Sequence, residues 1–400
     1  MSALSMALAQ GRAMAAATRG RESLATWRAV AAPWAVAHLL GLLVPVLVTW
    51  QLSTSTGFPG ASELRAAFDR WDTGSYVAIA EHGYPSQLDF RLDHGGYLTG
   101  FLPGYPLLIR ALMLVIPDAV AAGLIVSAIC SAIGLFYVAR LIEAERDRGD
   151  GRFAVWCLAL YPFAFFLIAV YSESAFLAAA AACLYHARHR SFAAACVIGA
   201  LAGSVRVTGL ALAPALLLEH LRRGRRGRGD ARLVLVLLVP LPLLLFGVYT
   251  SVHSGDALAY LHAQSSPSFG HAAAWPWTGA RTTWDVVVNS RAPASLTAVF
   301  APELVFGIGG AVGCVLAWWW CRRGRLPVSL AAYTTAVYLM ATSLSFWRSV
   351  PRYEVAMFPL LILLADVTRA RPAWRSVLVT ASAGLLAFGA AVFAEGRWLG

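Results

Sequence analysis

The chain has 400 residues, of which 59% are hydrophobic and 13% are charged, and its mean hydropathy is +0.64. Such a composition, with long apolar runs, excludes a water-soluble protein and indicates an integral membrane protein. The formal net charge is +11, but all 32 basic residues are Arg, and most lie in short clusters between apolar segments. That pattern is typical of membrane topology and does not indicate a nucleic-acid partner.

Apolar segments predict eleven membrane-spanning helices, because most are close to the length that a helix needs to cross about 30 Å of hydrocarbon. They lie near residues 33–52, 119–141, 153–170, 172–187, 191–205, 208–221, 233–252, 303–321, 327–346, 353–369 and 376–394. The predicted fold class is an all-α multi-pass bundle. Arginines before the first segment favour an uncleaved helix preceded by a cytoplasmic arm, residues 1–32.

The segment 101–116 is apolar enough to be a twelfth helix, but it contains Arg110. An Arg at mid-membrane costs at least about 2.5 to 3.5 kcal/mol on insertion scales, and an interfacial or re-entrant helix avoids that cost. The layout without this crossing also keeps more of the arginines on the inner side. It is therefore the one we expect.

Two long external loops follow from this layout, residues 53–117 and 253–302. The first belongs to a transmembrane module, 33–252, which would carry catalysis, and the helices of 303–400 follow the second. Loops of this length in a compact membrane protein are more often functional than merely connecting. We expect both to carry interfacial helices.

Two carboxylates stand out in the first loop. An amphipathic interfacial helix is predicted from the helical spacing of Leu64, Phe68 and Trp71. Asp69 and Asp72 would share one side of that helix, near lipid headgroups. Alternatively Asp72 caps a following helix, since Asp-Thr-Gly-Ser is good cap and turn chemistry.

Short motifs are distributed over most of the chain. They are Arg70-Trp71-Asp72, Tyr76, Ile79-Ala80, Gly83-Tyr84, Phe101-Leu102-Pro103-Gly104-Tyr105-Pro106, Tyr171-Ser172-Glu173-Ser174, Arg206-Val207-Thr208-Gly209, Pro351-Arg352-Tyr353 and Phe358-Pro359. Their order and spacing resemble the bacterial branch of the PIG-V family, the second mannosyltransferase of GPI-anchor assembly. That family belongs to the GT-C superfamily of multi-pass glycosyltransferases.

The resemblance implies transfer of a sugar, typically mannose, from a polyprenyl-phosphate donor to an acceptor hydroxyl, with inversion. One carboxylate suffices to accept the hydroxyl proton, because lipid phosphate is a competent leaving group. Asp72 matches the family's Trp-Asp motif and is the predicted general base, with Asp69 as the second choice. The acceptor would be a glycolipid or a glycan, at the outer face of the cell membrane.

A leaving phosphate needs fixed cations, and Arg206 and Arg352 are the candidates because each interrupts apolar sequence near a helix end. Pairing with Glu173 or Glu354, or snorkelling, is the alternative. Glu173 would otherwise orient an acceptor.

Tyr353 and Tyr105 are predicted to line the sugar or lipid site, with anchoring at the membrane interface as the alternative. The run His94–Thr99 differs from the acidic and aromatic run of eukaryotic members, which leaves the acceptor open.

External histidines lack tight metal-ligand spacing, although Asp93 with His94 and His253 with Asp256 are loose candidates. Neither a P-loop nor GxGxxG occurs. We therefore expect no cofactor, and we leave a divalent metal open. A lipid or sugar transporter, or a non-catalytic scaffold, is the rival function, although no paired half-repeats of the transporter type are evident.

Overall fold

The computed structural model describes residues 3–53, 57–90, 95–189, 191–222, 231–289 and 293–398, with side chains from residue 20 onward. Within these ranges the chain forms helices and no β-strand, so the predicted all-α class is confirmed. The helices are α1 (Ala3–Leu52), α2 (Ala61–Phe68), α3 (Asp72–His82), α4 (Gly104–Met113), α5 (Ala119–Glu145), α6 (Arg148–Ala159), α7 (Glu173–Arg188), α8 (Phe192–Val205), α9 (Leu212–Arg222), α10 (Leu241–Ser254), α11 (Ala259–Gln264), α12 (Pro276–Trp284), α13 (Ala294–Arg322), α14 (Val328–Thr342), α15 (Val350–Glu354), α16 (Leu360–Thr368) and α17 (Pro372–Ala394).

Four helices in the described ranges are long and apolar enough to cross a membrane: Gly20–Leu52 within α1, and all of α5, α13 and α17. A fifth span results if the turn Ala231–Leu238 and α10, which meet at 51°, count as one. These helices support a membrane protein. Eleven crossings remain a prediction, because the other segments form shorter or broken helices.

Those breaks have identifiable causes. The predicted span 153–170 divides into α6 and a 3-10 turn at Ala164–Leu167, because Pro162 disfavours a helical conformation at the residue before it. The bend before α10 contains Pro240. Inside a membrane, non-helical backbone is tolerated where it is buried in protein or lines a cavity. The breaks therefore suggest where to look for a site.

The segment 101–116 contains only the ten-residue helix α4, which rises about 15 Å at 1.5 Å per residue. That is roughly half of the hydrocarbon thickness. Arg110 is exposed on this helix. The length of α4 therefore agrees with a segment that does not cross.

Helix α5 lies in the middle of the bundle and packs closely on α7. A Cβ atom added to Gly134 would lie 2.9 Å from the Leu177 side chain, so the close approach depends on this glycine. Small residues at such contacts let helix backbones come together in a membrane protein.

Helix α7 begins at Glu173, and at its other end ion pairs join several helix ends. Arg188, at the far end of α7, lies 3.1 Å from Glu219, and Arg146 lies 2.7 Å from Asp366. Arg146 and Arg188 are among the arginines that the predicted layout puts on the inner side, and the structure places both at one end of the bundle. Which membrane face this end occupies stays a prediction.

Candidate active site

A cavity of about 370 Å³ opens near the start of α7, lined by residues from both predicted external loops and from the helix breaks. Its lining includes Asp72 from the first loop, Tyr260 from the second loop, and Arg206 and Arg352 from breaks. This volume is within the range of pockets that take small ligands. Pockets of this kind, with a few converging polar groups, are the first place to seek an active site.

The backbone around Asp72 corrects the expectation of one interfacial helix. Helix α2 ends at Phe68, a turn follows, and α3 begins at Asp72, so Asp69 and Asp72 do not share a helix face. Asp69 is exposed and does not line the cavity, and Trp71 lies in the turn instead of on an amphipathic helix. The Asp72 carboxylate makes no capping bond to α3; it accepts from Arg352 at 2.7 Å.

Trp71 has φ 54°, a left-handed conformation that is unfavourable for a bulky residue. The Tyr171 hydroxyl holds both sides of this turn: it donates to the Arg70 carbonyl at 3.3 Å and accepts from the Asp72 N–H at 3.2 Å. Strained backbone of this kind persists where surrounding contacts over-determine it, often at functional sites. The strain therefore contributes to aiming Asp72 into the cavity.

Glu173 links the two predicted arginines. Arg206 Nη1 and Arg352 Nε both donate to its Oε1 atom, and its side chain is only 4% exposed. Together with Asp72 the four groups sum to zero charge. Paired in this way, the buried charges avoid the cost that an isolated buried ion would carry. The structure thus contains the alternative partner that the sequence left open for both arginines.

Both guanidiniums remain charged in this setting. Burial opposes the charge, but the attraction of Glu173 raises the pKa of Arg206, and Glu173 and Asp72 together raise the pKa of Arg352. Aromatic faces complete the packing: Arg206 lies 4.8 Å from the Tyr353 ring centre and Arg352 lies 4.8 Å from that of Tyr171.

A hydroxyl pair extends the cluster. The Tyr76 hydroxyl lies 2.7 Å from Ser172 Oγ, which also accepts from Arg206 at 3.1 Å. Burial is the main cause that raises the pKa of Tyr76, with Glu173 adding to it, so the phenol stays neutral. Tyr76 can position a ligand but is a poor base.

The two predicted tyrosines lie in different places. Tyr353 lines the cavity. Tyr105 does not: it is fully buried, with its hydroxyl 2.7 Å from Ser127 Oγ and its ring edge-on to Tyr76 at 5.0 Å. Tyr105 therefore supports the cavity wall from behind.

Arg348 and Trp398 also line the cavity, and neither was predicted from the sequence. Among the described residues no carboxylate oxygen lies within 4.0 Å of the Arg348 guanidinium, unlike those of Arg206 and Arg352. The available signal for Arg348 was its position four residues before Arg352. Trp398 lies beyond the last helix and belongs to no sequence pattern.

Glu303 fixes the segment that carries Arg348. Its carboxylate accepts from the N–H groups of Ser349 at 2.6 Å and Val350 at 2.8 Å, at the start of α15. Ser349 has φ 66° and lines the cavity, as Trp71 does. Glu303, fully buried within α13, therefore anchors a second strained turn beside the site.

The two loops are tied together. Thr99 Oγ1 donates to the Ala259 carbonyl at 3.0 Å, and Gln264 Nε2 donates to the Gly100 carbonyl at 3.3 Å. The cavity therefore has a common wall built from both loops.

The metal candidates of the sequence do not converge. Asp256 pairs with His262 at 2.7 Å, and His253 contacts the Tyr84 carbonyl instead. Asp93 and His94 lie outside the described residues. In the described ranges no group of three His, Cys, Asp or Glu side chains is placed to hold a metal ion. Independence of cofactors stays a prediction.

The chain is similar to known proteins in its structure. No protein-family model matches the sequence, and no curated protein matches it. The fold is similar to that of ArnT from Cupriavidus metallidurans bound to undecaprenyl phosphate, with TM-score 0.50 and 13% identity over 90% of this chain and 76% of ArnT. It is also similar to the Archaeoglobus fulgidus oligosaccharyltransferase in complex with Zn and sulfate, with TM-score 0.48 and 13% identity over 91% of this chain.

The chain spans about half the length of that oligosaccharyltransferase, 52%. At 13% identity the likeness to ArnT shows the fold alone. The chain and ArnT therefore share a fold, whereas membership of the GT-C superfamily and of the PIG-V family stays a prediction.

Proposed function

We propose that the chain is a membrane glycosyltransferase that moves a hexose, mannose by the family resemblance, from a polyprenyl-phosphate donor to a hydroxyl of a glycolipid or glycan. The observation that carries this proposal is the Asp72 carboxylate, 22% exposed in the cavity and held by Arg352. A fixed carboxylate beside cations suits a reaction that removes a proton and releases a phosphate.

In the proposed step the acceptor hydroxyl gives its proton to Asp72 while its oxygen attacks C1 of the sugar. The new C1–O bond forms on the face opposite to the phosphate, and the old C1–O bond breaks. Its electron pair leaves with the lipid phosphate, so the configuration at C1 inverts. Arg352 orients the base, because its Nη1 bond fixes one carboxylate oxygen and leaves the other available.

Two further observations support the donor class. ArnT, which has a similar fold, was crystallised with undecaprenyl phosphate. The arginine-rich helix ends lie at the far end of α7 from Glu173, and α7 is about 24 Å long at 1.5 Å per residue. With those ends in the cytoplasm, the cavity would face outward in a multi-pass protein of the cell membrane.

Purified protein incubated with polyprenyl-phosphate-mannose and a panel of membrane glycolipids tests the proposal. A gain of one hexose mass on an acceptor is the expected result. A transporter or flippase would instead move labelled donor across reconstituted vesicles and leave every acceptor unchanged. That outcome would overturn the proposal in favour of the rival function.

A further inference from the structure

The chain turns back sharply after α17. Gly396 has φ 75°, its N–H donates to the Phe393 carbonyl at 3.0 Å, and the Arg397 N–H donates to the Val392 carbonyl at 3.2 Å. These are the bonds of a glycine-terminated helix end. The turn carries Trp398 into the lining of the cavity.

This turn is fastened to the turn that carries the proposed base. Arg70 Nη2 donates to the Ala394 carbonyl at 3.2 Å, at the end of α17. The Trp71 and Trp398 rings meet edge to face, with centres 5.3 Å apart. Trp398 therefore contacts Trp71, the residue that precedes Asp72, and it lines the same cavity as Asp72.

Trp398 and Arg348 both have unused hydrogen-bond donors. The Trp398 indole Nε1 is buried and has no acceptor in the described part of the chain. Arg348 lies with its guanidinium 5.5 Å from the centre of the Trp398 ring, and no carboxylate of the described residues pairs with it. Indole and guanidinium can only donate, so a group that satisfied both would have to be rich in acceptor oxygens.

A buried donor without a partner, such as the Trp398 N–H, is costly, and an anion that accepts from it while pairing with Arg348 would remove that cost. Arg206 and Arg352 are less suited to this task, because Glu173 and Asp72 already neutralise them. The cationic part of the cavity that is left for a ligand lies at Arg348. Trp71, 45% exposed and in contact with the Trp398 ring, offers an apolar surface for the lipid chain.

We infer that Arg348 and Trp398 form the subsite for the phosphate of the lipid-linked donor, with the guanidinium and the indole N–H donating to phosphate oxygens. The identity of the lipid rests on the proposed function. The arrangement itself calls for an anionic phosphate ester close to Asp72, where charge develops as the leaving group departs.

Binding of undecaprenyl phosphate, without a sugar, to the purified full-length protein tests the inference. Trp398→Phe keeps the ring and removes the N–H, and Arg348→Gln removes the charge. We expect Kd to rise about tenfold for Trp398→Phe and more for Arg348→Gln, as the loss of one bond to a charged group implies. Arg397→Gln is the matched control, because Arg397 is 77% exposed, adjacent in sequence, and paired with Glu395.

The same measurement with phosphatidylglycerol separates two sources of phosphate. The inference requires weaker binding of this lipid and no dependence of that binding on Trp398. Equal affinity for both lipids would show a general anionic-lipid site and overturn it, and so would an unchanged Kd in both Trp398→Phe and Arg348→Gln. Thermal unfolding of each variant checks that it is folded.

Failure here is distinct from failure of the proposed function, because sugar-free lipid needs no transfer. If both variants bind the lipid more weakly but the native protein transfers no hexose, the phosphate subsite is supported and the proposed transferase activity is contradicted. If the native protein transfers hexose but both variants bind the lipid as tightly as it does, the transferase activity is supported and the phosphate subsite is contradicted.

Discussion

Arg352 donates to Asp72 across 2.7 Å, although 280 positions separate the two residues in the chain. The same guanidinium also donates to Glu173 through its Nε atom. One arginine therefore fixes the proposed base and joins it to a buried carboxylate. We therefore expect substitution of Asp72 to affect mainly transfer, and substitution of Glu173 to affect mainly stability.

Replacing Asp72 with Asn should remove the proton acceptor while keeping the shape of the side chain. We expect hexose transfer to fall at least about 100-fold, the usual contribution of a general base. Single-turnover kinetics with polyprenyl-phosphate-mannose would measure it.

Asp69→Asn is the matched control, since Asp69 is exposed and does not line the cavity. Near-native transfer by Asp72→Asn, or an equal loss in both variants, would contradict the assignment of Asp72 as the base.

Replacing Glu173 with Gln should destabilise the protein, because it leaves two buried guanidiniums with a single carboxylate. Breaking a buried ion pair by removing one partner costs about 3 to 5 kcal/mol. Arg281→Gln offers a comparison: this side chain is 87% exposed, and its pair with Asp285 is 4.0 Å long. Such a surface pair contributes about 0 to 1 kcal/mol.

Thermal unfolding of both variants in the same detergent would compare the two effects. A Glu173→Gln protein as stable as Arg281→Gln would show that the arginines do not depend on Glu173.

Glu303→Ala should leave the N–H groups of Ser349 and Val350 without an acceptor. Each unsatisfied buried donor costs about 1 to 3 kcal/mol, so unfolding should become markedly easier. Glu303→Gln keeps an acceptor oxygen and should lose less stability. Because Ser349 adjoins Arg348, affinity for undecaprenyl phosphate should fall in the same order, which ligand titration would measure; equal affinity in both variants would argue against this anchoring role.

His271 gives the protein a predicted sensitivity to acid. Burial, with Arg348 adding to it, lowers the pKa of His271 to about 4, against about 6.5 in an unfolded chain. Between pH 6.5 and pH 4, His271 is therefore mostly protonated in the unfolded state and mostly neutral in the folded state. The stability associated with neutral His271 is fully present above pH 6.5 and is lost across that window.

Midpoints of thermal unfolding at pH 7.5, 6 and 4.5 should fall more steeply for the native protein than for His271→Asn. Parallel curves for the two proteins would contradict the lowered pKa.

The sequence predicted the segments of the site better than their pairing. Arg206 and Arg352 stand out because each interrupts an apolar run, and the structure places each beside a break in the helices. Whether a guanidinium faces a carboxylate or a ligand depends on how distant helices pack, which no local pattern encodes. From the sequence, Glu173 could therefore be predicted only as one possible partner of these arginines.

Other features were beyond sequence reasoning for physical reasons. The helical spacing of Leu64, Phe68 and Trp71 suggested one continuous helix, but a tertiary contact from Tyr171 stabilises a left-handed turn at Trp71. Trp398 belongs to no motif and reaches the cavity through a turn that depends on Gly396. The number of crossings was also inferred from apolar length, which does not register breaks that tertiary packing tolerates.

The separation of Asp72 from Arg352 also determines the order in which the site can assemble during synthesis. A ribosome makes Asp72 and Glu173 early, and Arg206 follows Glu173 after 33 residues, so a first pair can form while the chain is still growing. Asp72 stays without its cation until the segment carrying Arg352 has been translated and inserted. Until then the growing chain has one arginine, Arg206, for the two carboxylates of Asp72 and Glu173, and the charge balance of the site is the last part to be completed.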